Sequence, residues 1–259
     1  MPRLRLVWYA RARVHDLLVY LLLVAVGIVS GTLNVLAGGG SFLTLPVLIF
    51  LGLPAAVANG TNRIGVLMQN VSGVWGFHRH GVLDWRWTML VVIPGSLGTI
   101  VGTYAALSIS DEAFRKVLAT LMVVVTVWTL VGHANVPQGE GRPRATLLVM
   151  IGFLVVGLYS GFIQAGVGFL ILAVTTMAGF DLIRGNAVKL LSVLVFMIIS
   201  LVIFATNGGV DWPLGIALGV GNAIGGAIGV RIAIKKGHGW LRVFVTATVV
   251  VFAIKLWFF

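Results

Sequence analysis

Ten apolar segments constrain this chain more than any other feature. They fall at about 17–36, 41–52, 56–78, 86–107, 113–132, 145–164, 169–179, 182–206, 212–232 and 240–258. Several approach the ~20 residues that carry a helix across a bilayer. With 59% hydrophobic and only 10% charged residues, the chain carries more apolar surface than a soluble core buries. The expected fold class is all-α, a polytopic membrane protein. An outer-membrane barrel would alternate apolar and polar residues, and these segments do not. Segments 41–52 and 169–179 are too short to span at helical rise and read as half-helices or one arm of a hairpin. Each follows a glycine cluster, Ala37-Gly38-Gly39-Gly40-Ser41 or Ala165-Gly166-Val167-Gly168-Phe169. Glycine frees the backbone to leave helical geometry. At membrane depth such backbone persists only where protein or a wet cavity covers it.

The order of these features is duplicated. Gly27, Ser30 and Gly31 align with Gly157, Ser160 and Gly161 at an offset of 130. Further on the offset becomes 127, pairing Gly52 with Gly179, Asn59 with Asn186, Asp84-Trp85 with Asp211-Trp212 and Gly98 with Gly225. The chain therefore divides into a basic N-terminal segment 1–16, a first membrane half 17–132, a polar linker 133–144 and a second half 145–259. Five segments per half is odd. If each crosses, the second half is inverted, the arrangement common in secondary transporters. The stretch before Leu17 carries Arg3, Arg5, Arg11 and Arg13 and resembles a signal peptide. The same apolar segment recurs mid-chain, so it reads as a retained helix. Basic loops 79–86, 133–144 and 231–242 fall on one side, the cytoplasm by the positive-inside rule, while the arginine-rich N-terminus argues the opposite.

The net charge is +11, but most basic residues flank apolar segments, where they anchor helices. No contiguous basic face with interleaved aromatics is present, so nucleic acid is not an expected partner. The chain has no cysteine, which excludes disulfides, thiolate metal sites and cysteine catalysis. Two cations stand apart, because Arg63 and Lys189 lie inside apolar segments that hold no carboxylate. A buried, unpaired cation in a bilayer is costly and marks a place that something anionic visits. At offset 127 Lys189 aligns with Asn62, which puts the two cations one register step apart. Around them lie amide and hydroxyl donors: Asn59, Thr61, Asn62, Gln69 and Asn70 with Arg63, and Asn186 with Lys189. Asn34 and Gln164 sit beside the glycine breaks. Gly38, Gly39, Gly40 and Ser41, and Gly166 and Gly168, open the short segments. A helix start presents free N–H groups and the positive end of its dipole, which favours anions. The alternatives are that both long side chains snorkel to the interface, that the breaks serve structure alone, and that the glycines spaced by four only pack helices closely.

Other motifs carry less. Gly166-Val167-Gly168-Phe169 is a single copy of a potassium-filter-like run, which requires four. Gly38–Gly40 lacks the Lys-Ser/Thr of a phosphate loop. His78 and His80 do not share a helical face, so no metal site is expected. His78 is the one internal candidate for a proton site. No catalytic residue and no cofactor is expected.

At these residues the sequence resembles the sulfite exporter TauE/SafE family of membrane permeases. The resemblance rests on Gly27-xxx-Gly31 leading into Ala37-Gly-Gly-Gly-Ser41-Phe-Leu-Thr-Leu-Pro46, on Ala58-Asn-Gly-Thr-Asn-Arg63, and on the second copy, Gly157 to Phe169 and Arg184-Gly-Asn-Ala-Val-Lys189. It implies a multi-pass inner-membrane exporter of sulfite, sulfoacetate or related sulfur-containing anions. The expectation is a secondary transporter with small anions and lipid as partners and a homodimer as an option. An anion channel and a membrane scaffold are the alternatives.

Overall fold

The computed structural model describes residues 17–131 and 145–236. Among them are nine helices: α1 (Leu17–Ala37), α2 (Ser41–Phe50), α3 (Ala55–Arg79), α4 (Trp85–Ser108), α5 (Asp111–Val131), α6 (Leu147–Phe162), α7 (Val167–Met177), α8 (Leu182–Thr206) and α9 (Trp212–Lys236). The described residues contain no strand. The basic segment 1–16, the linker 133–144 and the apolar segment 240–258 lie outside the described residues.

Four helices, α1, α4, α8 and α9, are long and apolar enough to cross a membrane. The short helices expected after the glycine clusters are present as α2 and α7, of 10 and 11 residues. Segment 145–164, expected to approach a full span, forms a helix of only 16 residues, about 24 Å of rise. Its chain leaves helical geometry at Ile163, ahead of the glycines. Helix α3 has 25 residues but its polar residues keep it from being among the four apolar spans; Asn59, Thr61, Asn62, Arg63, Gln69 and Asn70 are all buried.

Carboxylates and a hydroxyl start the helices. The side chains of Asp84, Thr146 and Asp181 accept from backbone N–H groups in the first turns of α4, α6 and α8. Asp181 accepts from both Ile183 and Arg184, each at 2.9 Å. Replacing it with alanine is expected to cost about 1 kcal/mol, read as a lower melting temperature in detergent with ligand affinity unchanged.

Helix α1 packs most extensively on α9, and α4 on α6. Both seams are built from glycine, which lets backbones touch in a setting where lipid offers no hydrophobic drive between helices. A Cβ on Gly31 would collide with the carbonyl oxygen of Asn222, and one on Gly157 with that of Gly95. A Cβ on Gly225 would strike Ile28 O, and one on Gly98 would strike Leu154 O. Gly229 faces Thr32 O as Gly102 faces Leu158 O.

These matched contacts correct the repeat register along α1 and α6. They pair Gly31 with Gly157, Ile28 with Leu154 and Thr32 with Leu158, an offset of 126 where sequence comparison gives 130. The difference is one helical turn. Gly27/Gly31 and Gly157/Gly161 are each spaced by four, so the ladder matches itself again after a slip of one turn.

Candidate functional site

The two chain breaks meet each other. Helix α1 stops at Ala37, and Gly38 turns the chain with φ +84°. Helix α6 stops at Phe162, followed by Gln164 at φ +64° and Gly166 at φ +75°. A Cβ on Gly38 would lie 2.7 Å from Gly168 Cα, and one on Gly168 would lie 2.5 Å from Gly38 Cα. The breaks are thus packed backbone against backbone. Among the described residues Gln164 is the exception in left-handed conformation, since all the others are glycine, and a Cβ makes that conformation costly. It is held by its own side chain. Oε1 of Gln164 accepts from Ser41 Oγ at 3.2 Å and from Asn62 Nδ2 at 3.0 Å. Asn62 is fixed in turn by Thr44 Oγ1, which donates to its Oδ1 at 2.5 Å. Strained backbone that persists under such restraint is characteristic of functional sites.

The two buried cations close the two broken helices. The last carbonyls of a helix have no intrahelical partner and carry the negative end of its dipole. Lys189, the eighth residue of α8, donates from Nζ to the carbonyls of Asn34 and Val35 near the end of α1, both at 3.0 Å. Arg63, the ninth residue of α3, donates from Nη1 to Ser160 O at 3.1 Å and from Nη2 to Gly161 O at 2.6 Å, near the end of α6. At the α1–α6 offset of 126 Asn34 corresponds to Ser160 and Val35 to Gly161, whereas α3 and α8 keep the offset of 127 at both ends, so Lys189 still corresponds to Asn62. The cations do the same job on matching carbonyls, from positions one register step apart on α3 and α8. Neither pairs with a carboxylate: the ion pairs among the described residues are Lys116–Glu112 and Arg184–Asp181, both exposed. Neither side chain snorkels to the surface, since Arg63 is 0% and Lys189 2% exposed.

Their surroundings differ. Nη1 of Arg63 also donates to Ser200 Oγ at 2.6 Å, and the guanidinium lies 4.7 Å from the centroid of the Phe204 ring. Lys189 instead faces a pocket. Asn34, Gln69 and Asn70 line it from α1 and α3, and Gln164, Val167, Gly168, Lys189, Leu190 and Val193 from the second break, α7 and α8. Its empty volume is about 200 Å³, with room at the centre for about one water.

The polar lining is mostly donor. An ammonium has three N–H groups, and Lys189 uses two on the α1 carbonyls, leaving one. Gln69 accepts from Asn34 Nδ2 at 2.9 Å, and its Nε2 donates to nothing. Gln164 commits Oε1 as described, which leaves its amide nitrogen as the free end. Val167 and Gly168, the first residues of α7, bring that helix's positive dipole end to the pocket.

Of the residues expected from sequence, Asn34, Gln69, Gln164, Gly168 and Lys189 line the pocket. Gly38, Ser41 and Asn62 hold its walls, and Gly39 and Gly40 carry the first break. A Cβ on Gly40 would collide with Ser30 O, and one on Gly166 would lie 2.5 Å from the Phe42 ring. Arg63 is not among the lining residues. Asn59 donates to Phe162 O at 2.9 Å, beside Arg63 at the end of α6. Thr61 Oγ1 accepts from the backbone N–H of Asp211 at 2.9 Å. Asn186 is buried with both amide atoms unpartnered, outside the lining. His78 stands exposed at the C-terminal end of α3, edge-on to Trp85 at 5.8 Å between centroids, and does not join the pocket. Val193 and Ser200 were not among the candidates, and Asn70, expected as an oxyanion donor, lines the pocket. For Val193 the available signal is its spacing of four from Lys189, which puts both on one face of α8.

Replacing Arg63 with methionine is expected to cost about 2–3 kcal/mol, because two buried carbonyls lose charge-assisted partners. The fraction that folds is expected to keep its ligand affinity within about threefold. Thermal unfolding and titration of the same sample separate the two effects.

A family model described as Sulfite exporter TauE/SafE matches residues 23–256. The chain is 28% identical over 225 residues to a "Probable membrane transporter protein" of Haemophilus influenzae, covering 85% of this chain and 88% of that one. It is 26% identical to "Probable membrane transporter protein YfcA" of Escherichia coli K12, covering 89% and 87%. It is 24% identical to "Probable membrane transporter protein ORF9" of Sinorhizobium, covering 93% and 94%. No solved structure gives a significant match.

Proposed function

We propose that this chain, which belongs to the sulfite exporter TauE/SafE family, is a secondary transporter that carries small sulfur oxyanions or sulfonates out of the cell across the inner membrane. Lys189 carries this reading: a buried ammonium with two hydrogens on carbonyls, a third unassigned, no carboxylate partner and a pocket beside it. An anion there would supply the countercharge that the membrane interior lacks. The donor-rich lining and the start of α7 favour the same ligand charge. Arg63 acts as the structural counterpart, closing α6 without contacting the ligand.

The reciprocal seams of α1 on α9 and α4 on α6 support two halves related as an inverted repeat, each lending its first helix to the other. Rocking of one half on the other, pivoting where Gly38 meets Gly168, would open the pocket to alternate sides. The membrane potential suffices as a driving force, at about 2.3 kcal/mol per charge per 100 mV outward for an anion.

A thermal-shift panel of sulfite, sulfoacetate, taurine, sulfate, thiosulfate and simple carboxylates on the purified protein tests the substrate class. A ligand that binds only the folded state raises its stability by about 2.7 kcal/mol at 100 times its Kd. The expected result is stabilisation by sulfite or a small sulfonate. Stabilisation by carboxylates alone would move the proposal to another anion class, and no shift by any anion would remove it.

A further inference from the structure

Not every polar group of the lining suits an anion. Asn70 is 1% exposed, and its Nδ2 donates to Val66 O at 2.7 Å, one turn back on α3. That bond fixes which end of the amide is which, and it leaves Oδ1 as a buried acceptor with no donor. Asn34, whose Nδ2 is committed to Gln69 Oε1, likewise has only its acceptor Oδ1 left to offer; the available donors of the lining are the third hydrogen of Lys189, Gln69 Nε2 and the Gln164 amide nitrogen. A fully deprotonated oxyanion satisfies those donors and leaves Asn70 Oδ1 unpaired or facing like charge, and a buried unpaired acceptor is costly.

We infer that the pocket recognises a small monoanion bearing a hydrogen-bond donor of its own, such as hydrogensulfite or a hydroxyalkanesulfonate, with the ligand's O–H donating to Asn70 Oδ1 while its oxyanion faces Lys189 and Gln69. This rests on the transporter reading of the same pocket and narrows its ligand. The selectivity is of the kind in which a site built to pair a ligand hydroxyl rejects the analogue without it. Leu190 and Val193 on the adjoining wall are apolar and add no further acceptor.

Two sulfonates of nearly equal size and identical charge test this: hydroxymethanesulfonate, which carries the O–H, and ethanesulfonate, which puts a methyl in its place. Both remain monoanions across neutral pH, so a change in affinity is not a change in ionisation. Titration of the full-length protein in detergent is expected to show hydroxymethanesulfonate binding at least about tenfold more tightly, with the two affinities converging in Asn70→Leu. Equal affinities in the native protein overturn the inference and leave the transporter reading standing. A preference that persists in Asn70→Leu overturns the assignment to Asn70. Binding of neither sulfonate overturns the inference, and the transporter reading falls with it only if sulfite also gives no thermal shift. The native ratio decides by itself if the variant does not fold.

Discussion

Replacing Lys189 with glutamine is expected to abolish anion efflux and to remove ligand-induced stabilisation, while the folded protein persists. Glutamine is neutral and shorter, yet its amide still donates two hydrogens, so one bond to the α1 carbonyls of Asn34 and Val35 can survive. What it cannot supply is the positive charge. In the bilayer interior an anion without a countercharge faces the full desolvation cost, and the remaining donors, Gln69 and Gln164, are neutral. A ligand that stabilises the native protein by about 2.7 kcal/mol at 100 times its Kd is therefore expected to give no measurable shift at the same concentration. Arg63→Met is the informative contrast. Both substitutions remove a buried cation that caps a broken helix, but only Lys189 lines the pocket. Loss of stability without loss of affinity at Arg63, and the reverse at Lys189, would separate the structural cation from the ligand-binding one.

Placing valine at Gly157 is expected to have the largest effect on folding. Gly157 lies in the α4–α6 seam, and its Cβ would collide with the carbonyl oxygen, carbon and Cα of Gly95. These are backbone atoms and cannot rotate away. The helices must separate, which breaks the Thr99 Oγ1 bond to Gly157 O across the same seam. Overpacking costs about 1–3 kcal/mol where side chains can give way; here the backbone must give, and loss of the folded monomer in detergent is expected. Gly152→Ala in the same helix is the control. Its Cβ would lie 3.2 Å from the methyl groups of Val174, which can shift, and the gain in helix propensity approaches 1 kcal/mol. Size-exclusion profiles and melting temperatures of the pair distinguish a seam from a merely glycine-rich helix.

Much of the fold is legible in sequence because its causes are local. Gly38–Gly40 and Gly166–Gly168 announce the breaks, and apolar run lengths distinguish α2 and α7 from α8 and α9. The register of the repeat across α1 and α6 is not legible, because glycines spaced by four look the same after a one-turn slip. Only the backbone contacts of Gly31 with Asn222 and Gly157 with Gly95 select one alignment. The site divides in the same way. Sequence marks Lys189 and Arg63 equally, as buried cations in matched segments. Which of them faces a pocket depends on what the opposite half presents: Ser200 and Phe204 close around Arg63, whereas Asn34, Gln69 and Asn70 leave space beside Lys189. His78 is polar in a membrane segment and attracts attention for that reason, yet it lies at a helix end, where exposure to water explains it.

The central claim is that the Lys189 pocket carries a small sulfur oxyanion across the membrane. Sulfite efflux from proteoliposomes, measured at zero and at 100 mV inside-negative potential, tests it most directly. The expected flux is saturable, is accelerated by the potential, whose full equilibrium effect is about 50-fold per charge, and falls to the level of empty liposomes in Lys189→Gln. Flux in Lys189→Gln equal to that of the native protein would contradict the claim, as would native flux no greater than that of empty liposomes.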